Sequence, residues 1–537
     1  MTASEKSVSA PPRGAPQWLV AGAPVLLVLA GLVVRLVGAY HKFLNADEAM
    51  HYLLAVQPSL ADTHRASLGT AHPPLLIIVL HYWGMISHAE FFLRLPSAVA
   101  GTAAGWFVYL WLRDVADRAT ALIAMSLVLF SPALIYTSAE VRQYALLLGF
   151  MSATLYLLDR ALMAESPGLM LVSALTLYLA LLTHYATIIF AASLGVYGLL
   201  RIADIEPKAS LVTAWAATQA GWIAITAVLW RTHISIIRHR ALTQDVAESY
   251  LRNSLFHRGQ ENVLLFLGRA NVRLFHFLFS QGAVSALGML LFVAGIALLL
   301  GSGGSADRGR PSRRQIGALL LLPFVINCGA ALIGVYPYGG TRHDSYLAIF
   351  AMPGIAFAVM RWHPSWGWAR PLAIAIALAI CNLTVVPAGY YISPKNQKKE
   401  LMQQAVAYLH GSAAPGSVVL TDYESGLLLS YYVCGTDITH AGELSEYFYI
   451  SRCGAYQSAS LLPRLWVFRA DTFATQIRAL VGSQPALLRG REVWLFQAGF
   501  IVDREPEFYE LLGKYGCLAP RKFGANIVVC RIRLELY

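Results

Sequence analysis

Charge is scarce in this chain. Only 13% of its 537 residues are Asp, Glu, Lys or Arg, against roughly 25% in ordinary soluble domains. With 57% hydrophobic residues, that scarcity excludes an ordinary soluble globular protein and makes a bilayer the natural solvent. Cysteine is also sparse: there are six, none in a C-x-x-C pair, so the spacing of a cysteine zinc site is missing. No internal repeat is visible, nor any pair of Gly- or Pro-interrupted apolar runs at matching positions, which argues against an inverted-repeat transporter. The net charge of +11 could point to nucleic acid, but the basic residues lie in short blocks between apolar runs. No basic helix or aromatic RNA-binding signature accompanies them, so they read as signals for membrane orientation and lipid headgroup contact.

What is present is a series of long apolar runs. The first, Trp18 to Tyr40, follows a polar start with Lys6 and Arg13. It exceeds the roughly 7 to 15 apolar residues of a signal-peptide core and reads as a retained anchor. Further runs lie near 92 to 112, 118 to 136, 142 to 162, 168 to 183, 185 to 201, 211 to 231, 281 to 300, 316 to 335, 344 to 361 and 370 to 389. That gives about eleven transmembrane helices at roughly 20 residues per crossing. The run Pro73 to Ser87 opens with two prolines and contains His81; at about 15 residues it reads as an interfacial or re-entrant helix.

Lys and Arg in short loops stay on the cytoplasmic side. With the N-terminus inside, the cytoplasmic connections hold Arg113, Arg118, Arg160, Arg201, Lys208, Arg308, Arg310, Arg313, Arg314, Arg361 and Arg370. A twelfth span at Pro73 to Ser87 would turn GSGGSADRGRPSRR outward, so the rule favours eleven. The long outer loop Thr232 to Ser280 carries six arginines, as long loops can. Its stretch Asn262 to Phe279 spaces Arg269 and Arg273 among Leu and Phe as an amphipathic interfacial helix would.

Beyond Tyr391 the composition becomes mixed. Helical periodicity in Glu400 to Leu409 is followed by the strand-like SVVLTD, LWVF, EVWLF and NIVVC, the alternation of a small soluble α/β domain. The predicted fold is therefore an all-α polytopic membrane domain over 1–391 and an extracytoplasmic α/β domain over 392–537. Cys434, Cys453, Cys517 and Cys530 fall in the second part, where an oxidising compartment favours at least one disulfide. Three connectivities are open; Cys434 with Cys453 and Cys517 with Cys530 close the shortest loops. The alternative is four buried thiols.

On this topology Asp47, Glu48, His72, Glu140, Arg142, His184, Arg342 and His343 all fall at the outer ends of spans or in outer loops, where they could share one cavity. Ionisable groups near a membrane are costly unless they pair, face water or act. Each also has a local reading. In NADEAMHY, Asn45 and Glu48 have capping-box spacing, and Asp47 suits the dipole of a first turn. Thr137 and Glu140 have the same spacing. His184 can simply line a helix junction, and Arg342 with His343, after the turn-rich YPYGGT, can anchor at the interface or hold a phosphate. A divalent metal near Asp47, Glu48 and His72 is compatible with these residue types, but no closed ligand set is visible.

The order of DE in the first outer loop, AHPPL after it, RLPSAVAG, SPALIYTSAEVRQYALLL, LLTHY and TRHDSYLAIF resembles the bacterial glycosyltransferases of the C superfamily, of the protein-mannosyltransferase-like and aminoarabinose-transferase-like kinds. The resemblance spans essentially the whole chain. It implies an inner-membrane enzyme that takes a sugar from a polyprenyl-phosphate carrier and transfers it with inversion to a lipid, glycan or protein acceptor outside the membrane. It further implies that Asp47 occupies the catalytic acidic position with Glu48 beside it. His72-Pro73-Pro74 would be the loop that helps enclose the site. AHPPLLII lacks the aromatic that often follows the two prolines, and His343 stands where a Tyr commonly follows the Arg, which leaves sugar and acceptor open. The rival readings are a transporter or flippase of a lipid-linked or anionic substrate, and a non-catalytic scaffold for the outer domain.

Overall fold

The computed structural model describes residues 17–205, 207–238, 246–247, 250–302, 309–361, 369–383, 398–435, 445–462, 468–499, 505–517, 520–525 and 527–534. Its first part is helical. Among the described residues, eight helices are long and apolar enough to cross a membrane: Gly22–Tyr40, Glu90–Val115, Gln143–Met163, Ala186–Ile205, Ala209–Arg238, Gly282–Gly301, Arg313–Leu332 and Arg342–Arg361. Helices suit such a solvent because every backbone polar group must find its partner within the segment. Arg118–Phe130 and Pro132–Ser138 form a pair bent by 57° that together pass the same test. Pro167–Leu181 and Leu372–Leu383 are apolar but shorter, and they coincide with the two remaining expected spans. Leu75–Gly84 is a helix of 10 residues, too short to cross at 1.5 Å rise per residue. The expected amphipathic segment forms the helix Val263–Phe279.

The break in the bent pair draws polar side chains to it, Arg35 buried and Asn382 exposed. Pro132 has no N–H to give to the preceding turn, and side chains from other helices reach the break. Arg35 Nη1 donates to the Leu129 carbonyl at 2.7 Å. Asn382 Nδ2 donates to Phe130 O at 2.9 Å, and Ser131 Oγ donates to Leu278 O at 2.7 Å. Elsewhere the helices meet through glycine: a Cβ on Gly295 would lie 2.0 Å from Gly354 O, so only hydrogen permits that backbone approach.

After Lys398 the chain folds into a six-stranded sheet with helices. Strands β1 (Val418–Thr421), β2 (Phe448–Cys453), β3 (Tyr456–Leu461), β4 (Val493–Gln497), β5 (Arg521–Phe523) and β6 (Ile527–Ile532) take the order β2-β3-β1-β4-β6-β5. β1 is parallel to both β3 and β4, while β2, β6 and β5 join antiparallel. The central β1 and β4 are buried along their whole length, as covered parallel strands must be. Of the strand-like sequences, SVVLTD, EVWLF and NIVVC lie at β1, β4 and β6; LWVF falls largely outside the described residues, as does the boundary at 391. Disulfides join Cys434 to Cys453 and Cys517 to Cys530. One core of this unit includes Phe43 and Ala49 from the first part, packed with Met402, Leu428 and Leu429. The sheet unit thus sits against the segment that carries Asp47.

Candidate active site

The short helix Ala46–Ala55 presents the two carboxylates. Asn45 caps it in a full capping box: its side chain accepts the Glu48 N–H at 3.0 Å, and Glu48 Oε2 accepts the Asn45 N–H at 2.9 Å. Glu48 does more than cap. Arg94 grips it with Nε and Nη2, both at 2.8 Å, and the Val141 N–H donates to Oε1 at 2.8 Å. Arg94 also donates to the carbonyls of Ala39, Lys42 and Phe43. Both partners are buried, and removing one from such a pair costs about 3–5 kcal/mol. The Glu48 carboxylate is therefore occupied in holding the loop.

Asp47 points elsewhere. Its Oδ2 lies 2.8 Å from Arg342 Nη2 and 3.1 Å from Arg142 Nη1, and its side chain is almost fully buried. Arg342 is aimed by Asp344, whose Oδ2 collects the N–H groups of Gly339, Gly340 and Thr341 and the Thr341 hydroxyl. Asn327 Nδ2 donates to Oδ1 at 3.1 Å. Gly340 has φ +85°, and a Cβ there would lie 2.3 Å from Arg273 O; only glycine fits.

The remaining expected residues gather around this ion cluster. The rings of His72 and His184 stack with centroids 5.1 Å apart, and His343 lies 6.1 Å and 5.7 Å from them. The loop holding His72 is pinned by Leu75 N–H to Leu182 O at 2.9 Å, and by His233 Nε2 against Thr70 O at 2.9 Å. Glu140 joins through Asn45 Nδ2, which donates to Oε1 at 3.1 Å. The Thr137 to Glu140 spacing makes no cap, because Glu140 lies beyond the end of Pro132–Ser138 and the Thr137 hydroxyl donates back to Ala133 O.

Burial sets the protonation of these groups. It pushes His51 and His184 down to about 3, with the Arg142 charge adding to the effect. His72 is held well below the ordinary histidine range by burial and then by His184 and Arg142. Burial and the nearby Glu48 raise Glu140 above the usual carboxylate range, against Arg342, Arg142 and Lys42. The histidines are therefore neutral at neutral pH. His184 Nδ1 accepts the Ala186 N–H at 3.1 Å, so in the neutral ring Nε2 carries the proton.

That His184 Nε2–H has no hydrogen-bond partner among the described residues, and neither do Arg142 Nε, Arg342 Nε, Gln143 Nε2 and the Tyr144 hydroxyl. Glu140 Oε2 and Gln143 Oε1 likewise have none among the described residues; buried polar atoms are normally satisfied, so these groups are available to both the acceptors and the donors of a ligand. Gln143 and Tyr144 were not singled out from the sequence. Tyr144 is fully buried and lies 5.7 Å from both the Arg142 and Arg342 guanidinium carbons. It reads as one more apolar residue of a span, although it directly follows Arg142-Gln143. Arg94 was legible only as part of RLPSAVAG. Among the described residues, no three His, Cys, Asp or Glu side chains are grouped so as to hold a metal ion.

Comparison with known proteins bears on this site. No curated protein matches the chain in sequence. Two structures of ArnT from Cupriavidus metallidurans align at 14% identity and TM-score 0.49. The apo form covers 95% of this chain and 98% of ArnT, and the form bound to undecaprenyl phosphate covers 96% and 99%. The oligosaccharyltransferase AglB from Archaeoglobus fulgidus, in complex with an inhibitory peptide and a dolichol-phosphate, aligns at 13% identity over 77% of this chain and 64% of its own, with TM-score 0.43. Residues 71–230, which include His72, Glu140, Arg142 and His184, match the model of the dolichyl-phosphate-mannose-protein mannosyltransferase family.

Proposed function

We propose that this protein is a multi-pass membrane glycosyltransferase that moves a sugar from a polyprenyl-phosphate carrier to an acceptor hydroxyl, with inversion at the anomeric carbon. The observation that carries this reading is the Asp47 carboxylate held between Arg342 and Arg142, beside buried donors of Arg142, Arg342, Tyr144 and His184 with no partner among the described residues. The family match over 71–230 supports it.

Asp47 is the general base. It takes the acceptor proton as the acceptor oxygen bonds to the anomeric carbon and the bond from that carbon to the phosphate oxygen breaks. The electron pair leaves on the polyprenyl phosphate. Arg142 and Arg342 meet that charge in bidentate or single contacts suited to guanidinium, and their shift toward phosphate frees Asp47 from its ion pairs. His184 and Tyr144 offer donors to the sugar or the phosphate, and His72, His343 and Glu140 line the same space. Glu48 is a positioning residue, since Arg94, Val141 and Asn45 occupy its oxygens.

In this reading the chain makes eleven crossings of a bacterial inner membrane, divides near residue 391, and holds the site and the sheet unit on the outer side. The test is purified protein in liposomes with radiolabelled polyprenyl-phosphate-linked mannose or aminoarabinose and an envelope lipid and glycan extract. Label moving from carrier to extract supports a transferase. Label that crosses the bilayer still attached to its carrier identifies a flippase instead.

A further inference from the structure

The sheet unit reaches back to the segment that enters the Asp47 helix. Tyr432, in the turn Ser430–Cys434, accepts the Leu44 N–H on its hydroxyl at 2.7 Å and donates that hydroxyl to Glu90 Oε1. The other Glu90 oxygen lies 2.7 Å from Lys399 Nζ, again from beyond residue 398. Glu90 is buried and opens the helix Glu90–Val115, one turn before Arg94. Residues 39 to 48 are thus held from two sides: Arg94 takes three of their carbonyls and the Glu48 carboxylate, while Tyr432 takes the Leu44 N–H. Tyr431 makes a separate contact, donating to His88 O at 2.6 Å, outside that segment.

A buried backbone N–H needs a partner, and the Leu44 N–H, three residues before Asp47, finds one on another unit of the fold. We infer that Tyr432 is a positioning residue for the transfer reaction: its hydroxyl fixes the approach to the Asp47 helix, so that turnover depends on docking of the sheet unit through Leu44 and Glu90. The inference rests on the transferase reading. Tyr432→Phe keeps the ring in place and leaves the Leu44 N–H and one Glu90 oxygen without that hydroxyl.

The test uses the full chain in liposomes, with polyprenyl-phosphate-linked mannose and aminoarabinose as donors, an envelope lipid and glycan extract as acceptor, and hydrogen exchange of residues 40–55 as a second readout. Tyr432→Phe is expected to lower kcat roughly tenfold, as misplacement of the base by one lost hydrogen bond would, with KM for donor within about twofold. Exchange over 40–55 should quicken while the sheet keeps its protection. Tyr431→Phe should keep wild-type kcat. Wild-type kcat and exchange in Tyr432→Phe overturn the inference, and so does a loss in Tyr431→Phe as large as in Tyr432→Phe, which would indicate docking in general. If the wild type turns over neither donor, mannose and aminoarabinose are excluded as its sugar. Exchange then decides: quickening at 40–55 in Tyr432→Phe alone supports the positioning contact, and its absence overturns it.

Discussion

Arg342 and Asp47 stand 295 residues apart in sequence and meet at 2.8 Å, so the segment after the first long helix and the one that opens Arg342–Arg361 close on one carboxylate. Arg142 approaches the same oxygen at 3.1 Å. This arrangement balances Asp47 with two guanidinium groups, one more positive charge than the carboxylate can neutralise, and the excess suits a singly charged phosphodiester.

Arg342→Gln is expected to lower kcat/KM by roughly 10²-fold or more, the scale of removing a group that stabilises transition-state charge. Arg342→Lys should fall between that variant and wild type, because an ammonium keeps the charge without the planar fork. Steady-state kinetics on the polyprenyl-phosphate-linked donor checks this, and Gln and Lys variants with equal activity would show that charge at this position is not used.

The buried histidines predict a particular acid sensitivity. His51 and His184 titrate near 3 in the folded protein, below the roughly 6.5 of a free histidine. Their contribution to stability is therefore present above about pH 6.5 and is lost as pH falls toward the folded value. Glu140, raised by burial, contributes with the opposite sign, so the comparison is best made between variants. Thermal melts in detergent between about pH 7.5 and 4.5 should show His51→Gln and His184→Gln losing less stability than wild type, by up to about 3 kcal/mol each. Parallel slopes would mean that these rings are not buried neutral.

Topology is open to a direct check. A reporter fused after Gly304 is expected to be cytoplasmic, and fusions after Gly259 or Gly416 external, as the distribution of Lys and Arg requires. An external result at Gly304 would overturn that orientation and put the Asp47 cluster, whose residues the fold holds in contact, on the cytoplasmic side.

Much of this was legible in the sequence because apolar length and capping chemistry are local signals. The long helices, the helix at Val263–Phe279 and the Asn45 capping box appear where run length, spacing and cap residues place them. Both favoured disulfides also appear. What stayed hidden depends on contacts across the fold. Arg94 lies one turn inside an apolar run, and nothing nearby in sequence announces its grip on Glu48. The bend at Ser131 needs Arg35 and Asn382 from distant helices. Asp344 had a local signal, since Thr341 and Asp344 have the spacing of a capping box and form one. Thr137 and Glu140 have the same spacing without the cap, because the chain there ends a helix rather than starting one.

Asp47 as the base of a sugar transfer is tested by comparing wild type with Asp47→Asn, a change that keeps the shape and removes the charge. In liposomes supplied with radiolabelled polyprenyl-phosphate-linked mannose or aminoarabinose and an envelope extract, the wild type is expected to consume the donor that it accepts. Asp47→Asn, extracted and folded like wild type, should fall by the roughly 10² to 10⁴-fold typical of a lost general base. An Asp47→Asn protein that keeps more than roughly a tenth of wild-type turnover would contradict that role.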